Sequence, residues 1–272
     1  MKLRLVPPLQ GVSWVQQSLR VFVRQPVAFA SLFAACLFVL LVLGIVPVVG
    51  AAAPLLLSPF GTLLFMLAGR LGAEGQPVMP GAVTGMLGVG RRTAVALLQL
   101  GAAYLVAGVV TFWLCGVIDG GSVDSLRVLL RDPTTKPEVA AARFADPRVQ
   151  LGLVLRLLCA TALSVPFWHA PALVHWGRQS VAKALFSSSV AIWRNGGAFT
   201  VYGLAWSAIC FVLLLLAASV LGVVGPQGVL FVAAPLTLVM LTLLYVSLYF
   251  TFADCFADDA PAPGAPANQA AA

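Results

Sequence analysis

The chain predicts an all-α membrane fold, a polytopic bundle of six transmembrane helices arranged as three hairpins with basic amphipathic helices at the interface. Hydrophobic residues fill 61% of its 272 positions and charged residues only 9%, whereas about a quarter of a soluble domain is charged. The apolar residues gather in six continuous runs, at 27–50, 51–69, 94–118, 150–174, 198–223 and 228–253. Each run approaches or exceeds the roughly 20 helical residues that cross a ~30 Å hydrocarbon core. Lipid cannot hydrate peptide groups, so only helices or closed barrels span it, and runs that do not alternate exclude the barrel.

The third observation is a repeated phrase. "QSLRVFVRQPVAF" at 17–29 and "SSSVAIWRNGGAF" at 187–199 align on a shift of 170 positions, which superposes Ser18 on Ser188, Arg24 on Arg194, Ala28 on Ala198 and Phe29 on Phe199. On a helical period, Ser13, Gln17, Arg20 and Arg24 share one face and Val15, Leu19 and Phe22 another. The second copy puts Lys183, Ser187, Val190 and Arg194 opposite Leu185, Ser189 and Ile192. Pro26 ends the first lead-in helix, because the residue ahead of a proline is pushed out of helical geometry, and Asn195-Gly196-Gly197 ends the second. Arg and Lys on such helices lay their stems on apolar surface and their charges among headgroups, and Trp14, Trp176 and Trp193 fit an aromatic belt at the same level. Arg91 and Arg92 precede the third span in the same way. The pattern of basic lead-in plus hairpin is then threefold, its middle copy resting on position alone.

The remaining elements follow in order. "VPVVGAAAP" at 46–54 imitates a cleavage site, but the apolar run before it far exceeds a signal-peptide core of about 7–15 residues, so the first span is read as uncleaved. "RLGAEGQPVMPGAVTG" at 70–85 is too rich in Gly and Pro for a stable helix. In the loop 119–149, Ser122 or Ser125 caps a short helix ended by Asp132-Pro133, and Pro137 opens another. Asp146 caps span four, with Pro147 at its first position. Pro166 and Pro171 kink or end that span. Residues 1–256 form the membrane domain, and the Pro/Ala-rich tail 257–272 lacks apolar periodicity and is expected to be disordered.

Charge sets the orientation. With the N-terminus inside, ten basic residues against four acidic ones lie on the cytoplasmic side, while the loop 119–149 balances five against five. By the positive-inside rule both termini are cytoplasmic. The net charge of +7 follows from this bias, with no soluble module that would read nucleic acid. Membrane lipids, anionic ones above all, are the expected partners, with a protein partner or a second copy as further possibilities.

Chemistry is sparse. The five cysteines, Cys36, Cys115, Cys159, Cys210 and Cys255, have no paired spacing and read as small buried hydrophobes. Arg156 is the charge inside a span, a functional-site hypothesis by default. With no acid in any span to pair with it, Arg156 is expected to snorkel outward beside Arg148. His169 and His175 are six apart, which is not the four-residue spacing of a paired helical metal site. Neither a metal nor a cofactor is expected. No phosphate loop, nucleophile elbow or paired intramembrane carboxylates occur, so the chain is read as a non-enzyme. A small-solute transporter or channel, with Arg156, His169 and His175 lining a path, is the alternative, and a lipid-modifying enzyme the third reading.

"FWHAPALVHWGRQSVAKALFSSSVAIWRN" at 167–195, with "VSWVQQSLRVFVRQPVAF" at 12–29, resembles a family of uncharacterised multi-pass inner-membrane proteins of betaproteobacteria. Its Ala-Pro-Ala-Leu, Lys-Ala-Leu and Arg-Asn elements are more distantly similar to the membrane domain attached to some glycerophosphodiester phosphodiesterases. That resemblance implies a helical membrane scaffold and no catalytic site, since nothing here corresponds to their hydrolase domain.

Overall fold

The computed structural model describes residues 2–79, 81, 83, 90–132 and 134–257. Its helices are α1 (Gln10–Arg24), α2 (Pro26–Gly44), α3 (Pro47–Ala73), α4 (Arg91–Ile118), α5 (Ser122–Arg131), α6 (Pro137–Phe144), α7 (Pro147–Phe167), α8 (Ala170–His175), α9 (Val181–Arg194) and α10 (Gly196–Cys255). Two short strands, β1 (Lys2–Leu3) and β2 (Phe256–Ala257), pair antiparallel and bring the two ends of the described chain together. Six segments among the described residues are long and apolar enough to cross a membrane: Pro26–Gly44, Val49–Ala73, Arg91–Ile118, Pro147–His175, Gly196–Ser219 and Ala233–Cys255. The all-α polytopic bundle is thus the observed fold class.

Several boundaries differ from the sequence reading. The first hairpin turns at Ile45-Val46, not near 50, so "VPVVGAAAP" starts the second span. Pro47 is pre-set for a first helical position, whereas Gly50 lies inside helix α3. That helix also runs on to Ala73, four residues into the Gly/Pro-rich linker, where Arg70 pairs with Glu74 at 2.9 Å. Linker residues 80, 82, 84 and 85, and the tail beyond Ala257, lie outside the described residues.

Helical backbone is continuous over Gly196–Cys255, through the expected turn near 225. The two arms are nonetheless antiparallel. Tyr202 and Ser247 share a hydrogen bond of 2.6 Å, while a straight helix at about 1.5 Å per residue would separate them by tens of ångströms.

Two compact units are distinguished. The first comprises Met1–Ala34, Leu64–Leu87 and Val190–Ala272. Within it α1 lies along α10, burying Gly11, Trp14, Ser18, Val21 and Phe22. A Cβ on Gly11 would collide with the Ala198 carbonyl and the Tyr202 backbone, so the approach of the two helices requires glycine there. Phe65 joins Phe33 and Tyr245 at ring separations of 5.8 and 5.4 Å.

The second unit comprises Ala35–Leu63 and Gly88–Ser189. Here α4 packs on α7, with Tyr104 edge-on to Phe167 at 4.8 Å. Span four ends at Phe167 and restarts at Ala170 with Pro171 in the first turn of α8, as the two prolines predict. Asp146 accepts the Arg148 N–H at 2.9 Å, the expected cap of α7. Ser122, by contrast, opens α5 behind a left-handed Gly121, and no side chain caps that helix. Long stretches of α2, α4 and α7 present Phe38, Leu41, Trp113, Leu151 and Leu157 outward. Apolar exposure on that scale is the surface of a protein solvated by lipid.

Candidate functional site

The expected lipid-facing residues separate into three groups. Arg20 and Arg24 are exposed on α1, next to exposed Leu19 and Val23, and Arg194 is exposed beside Trp193, which is 88% exposed. Lys183 is exposed on α9 with Phe186. Among the described residues none of these four cations is in an ion pair. Arg91 and Arg92 are exposed in the first turn of α4, and Trp176, half-buried, meets His175 edge-on at 5.8 Å.

Trp14 corrects the aromatic-belt expectation. It is fully buried, its ring lies 5.2 Å from Phe199 and 5.9 Å from Tyr202, and its indole N–H donates to Asp254 at 2.7 Å. The Gln10 amide donates to the same carboxylate oxygen at 2.7 Å. Buried indoles require such a partner, so Trp14 is a clamp between helices and no lipid anchor. Asn195 completes the arrangement: its amide donates to the Arg4 and Ala191 carbonyls, each at 3.0 Å, and its Oδ1 accepts the Val6 N–H at 2.9 Å. The helix break at Asn195 therefore also holds the N-terminal segment.

Arg156 does not snorkel beside Arg148. Its guanidinium bonds Asp119 directly and lies 3.6 Å from Asp124. Asp119 is 3% exposed and Arg156 13%, so the pair is withdrawn from solvent. Asp119 follows α4 as its C-cap residue, which places at the end of a span a carboxylate that the apolar pattern assigns to the loop. The same part of the unit is fastened by Arg143, which donates to Asp146 at 2.8 Å and to Ser125 at 2.6 Å. The Cys115 and Cys159 thiols are also within hydrogen-bonding reach of one another, a pairing their spacing in the chain did not show. Outside the spans, Asp132 is held below the usual carboxylate range by the Thr134 hydroxyl and backbone N–H.

The three residues of the expected bundle site are not assembled into one. His169 is fully buried, and its backbone N–H donates to Ser188 Oγ at 3.1 Å while the Ser188 hydroxyl donates to the Val165 carbonyl at 2.9 Å. That bridge carries the chain across the break between α7 and α8. His175 lines a recess with Arg91, Arg92 and Arg178.

Six membrane-length helices, lipid-type exposure and buried polar clamps define an integral membrane helix bundle. No family model and no solved structure matches the chain. A protein of Burkholderia thailandensis named "Probable inner membrane protein" is 35% identical over 268 residues, 98% of this chain and 97% of that one. The chain belongs to that family of inner-membrane proteins.

Proposed function

We propose that the protein is a non-enzymatic component of the inner membrane whose basic helix ends face the cytoplasm and hold anionic lipid headgroups, with both termini on that side. The observation that carries this reading is the exposure of Arg20, Arg24, Lys183 and Arg194, outside any ion pair among the described residues, beside exposed Leu19, Val23, Phe186 and Trp193. Cations next to apolar side chains match the headgroup boundary. Each Lys or Arg near an anionic leaflet contributes about 1 kcal/mol, so each favours anionic over neutral lipid by roughly fivefold. The distant likeness to the membrane domain of glycerophosphodiester phosphodiesterases belongs with this scaffold reading. A protein partner or a second copy on the same helix ends is the other occupant this chemistry accepts.

The transporter reading depends on Arg156 as a charge in search of an anion. Its contacts with Asp119 and Asp124 give that charge a structural role.

The test is native mass spectrometry of protein extracted gently from its own membrane, beside a variant with Arg24→Gln, Lys183→Gln and Arg194→Gln. More anionic lipid retained by the natural protein than by the variant is the expected result. Anionic lipid held equally by both, beside a polar small molecule, would move the function into the bundle and make transport the better reading.

A further inference from the structure

A recess of about 930 Å³ opens in the second unit between the start of α4 and the segment joining α8 to α9. Arg91 and Arg92 approach it from the first turn of α4, and Arg178 and His175 from the opposite wall. Among the described residues no carboxylate lines it and none of the three arginines has an ion-pair partner. Like charges gathered without a counter-ion repel one another, so an anion between them is favoured. We propose that this recess binds a phosphate group, carried by a lipid headgroup or by a soluble phosphoester.

Four features fit a phosphate. Guanidinium forks match phosphate oxygens bidentately, and here they converge from two separate segments. Gln99 and Gln179 add amide donors; the Gln179 carbonyl oxygen already accepts the Ser187 hydroxyl at 3.1 Å, which leaves its amide N–H groups to donate. Helix α4 starts at Gly90 with no side chain capping it, and an uncapped helix start favours an anion. The volume lies at the top of the range of about 300–1,000 Å³ for small-molecule sites, so it holds a phosphate with a substituent attached. Val95 and Val174 give the substituent apolar wall.

The local backbone is shaped to deliver Arg178. Its φ is 49°, in the left-handed region, which residues with a Cβ adopt at a cost. Gly177 precedes it, where a Cβ would meet the Leu173 carbonyl at 2.6 Å, and that carbonyl accepts the Gln179 N–H at 3.2 Å. A glycine at 178 would fold with less strain, so the arginine is held there for its side chain.

The inference rests on the lipid reading above only for the headgroup as one source of the phosphate, and its test separates the two. The full-length protein is placed in nanodiscs whose bulk lipid is phosphatidylcholine alone. Three probes are offered: inorganic phosphate, glycerol phosphate and a trace of phosphatidic acid. The natural protein is compared with Arg178→Gly, with R91Q/R92Q, and with the outer variant R24Q/K183Q/R194Q. The natural protein should take up phosphatidic acid if the source is a lipid, or the soluble phosphates if it is not. Arg178→Gly should lose about tenfold or more in affinity while its melting temperature rises, a combination that a merely structural arginine would not give. R91Q/R92Q should lose affinity likewise, and the outer variant should keep it. Failure of the natural protein to bind any probe, or an equal loss in the outer variant, would overturn the proposal. Failure of the lipid reading would show separately, as equal amounts of anionic lipid retained by the natural protein and by the outer variant when each is taken from its own membrane.

Discussion

Trp14 and Arg156 each carry a polar group withdrawn from water, and the cost of disturbing them differs with what is left behind. Trp14→Phe keeps the ring packing against Phe199 and Tyr202 but removes one donor from Asp254. Hydrogen bonds to charged groups contribute about 1.5–3 kcal/mol, so thermal unfolding in detergent should show a loss of that size. Arg156→Leu leaves Asp119 buried without its cation, which costs about 3–5 kcal/mol. The double variant Arg156→Leu with Asp119→Leu should recover much of that loss, because replacing both partners by apolar groups is far less harmful than removing one. A double variant as unstable as the single one would contradict the pairing. Arg178→Gly should stabilise the fold by about 1 kcal/mol, the cost of left-handed backbone for an L-residue. Sequence alone displayed Trp14 and Arg156 as an interfacial ring and an intramembrane charge. It hid their partners, because Asp254 and Asp119 sit one residue beyond apolar runs and read as loop charges until the helix ends are placed.

At the scale of elements, α1 and α9 have matching patterns. Positions related by 170 residues are buried alike: Trp14 and Ala184, Ser18 and Ser188, each 0% exposed, and Val21 and Ala191. Arg24 and Arg194 are the exposed last residues of the two helices. The lead-in helices and their breaks were legible because an amphipathic period and a proline or asparagine stop are local signals. The inner face was not, since Leu19 and Val23 look apolar enough for a core yet point outward. What decides is Gly11, whose missing Cβ sets which side of α1 meets α10. Gly11→Val should force the helices apart at about 1–3 kcal/mol, and hydrogen exchange of residues 2–24 should quicken. Unchanged exchange would mean that α1 is held elsewhere. Tyr202→Phe, which removes a hydrogen bond between the two arms of α10, should cost only about 0.6 kcal/mol, the average for such bonds in membrane bundles.

For the whole molecule, the six spans were legible because a bilayer demands long apolar helices whatever their neighbours, and composition alone reports them. Turns were less so: the first hairpin closes about five residues earlier than the apolar run implies, since valine and alanine serve equally well on either side of a bend. The claim on which the functional reading depends is orientation, with Arg20, Arg24, Arg91, Arg92, Lys183 and Arg194 at the cytoplasmic leaflet and the helices α5 and α6 outside. Paired topology reporters test it most directly. Alkaline phosphatase inserted after Thr134 should be active, which requires export, and green fluorescent protein fused after Ala260 should fluoresce, which requires the cytoplasm. An inactive phosphatase with a dark C-terminal fusion would place the basic helix ends on the outer side and contradict the account.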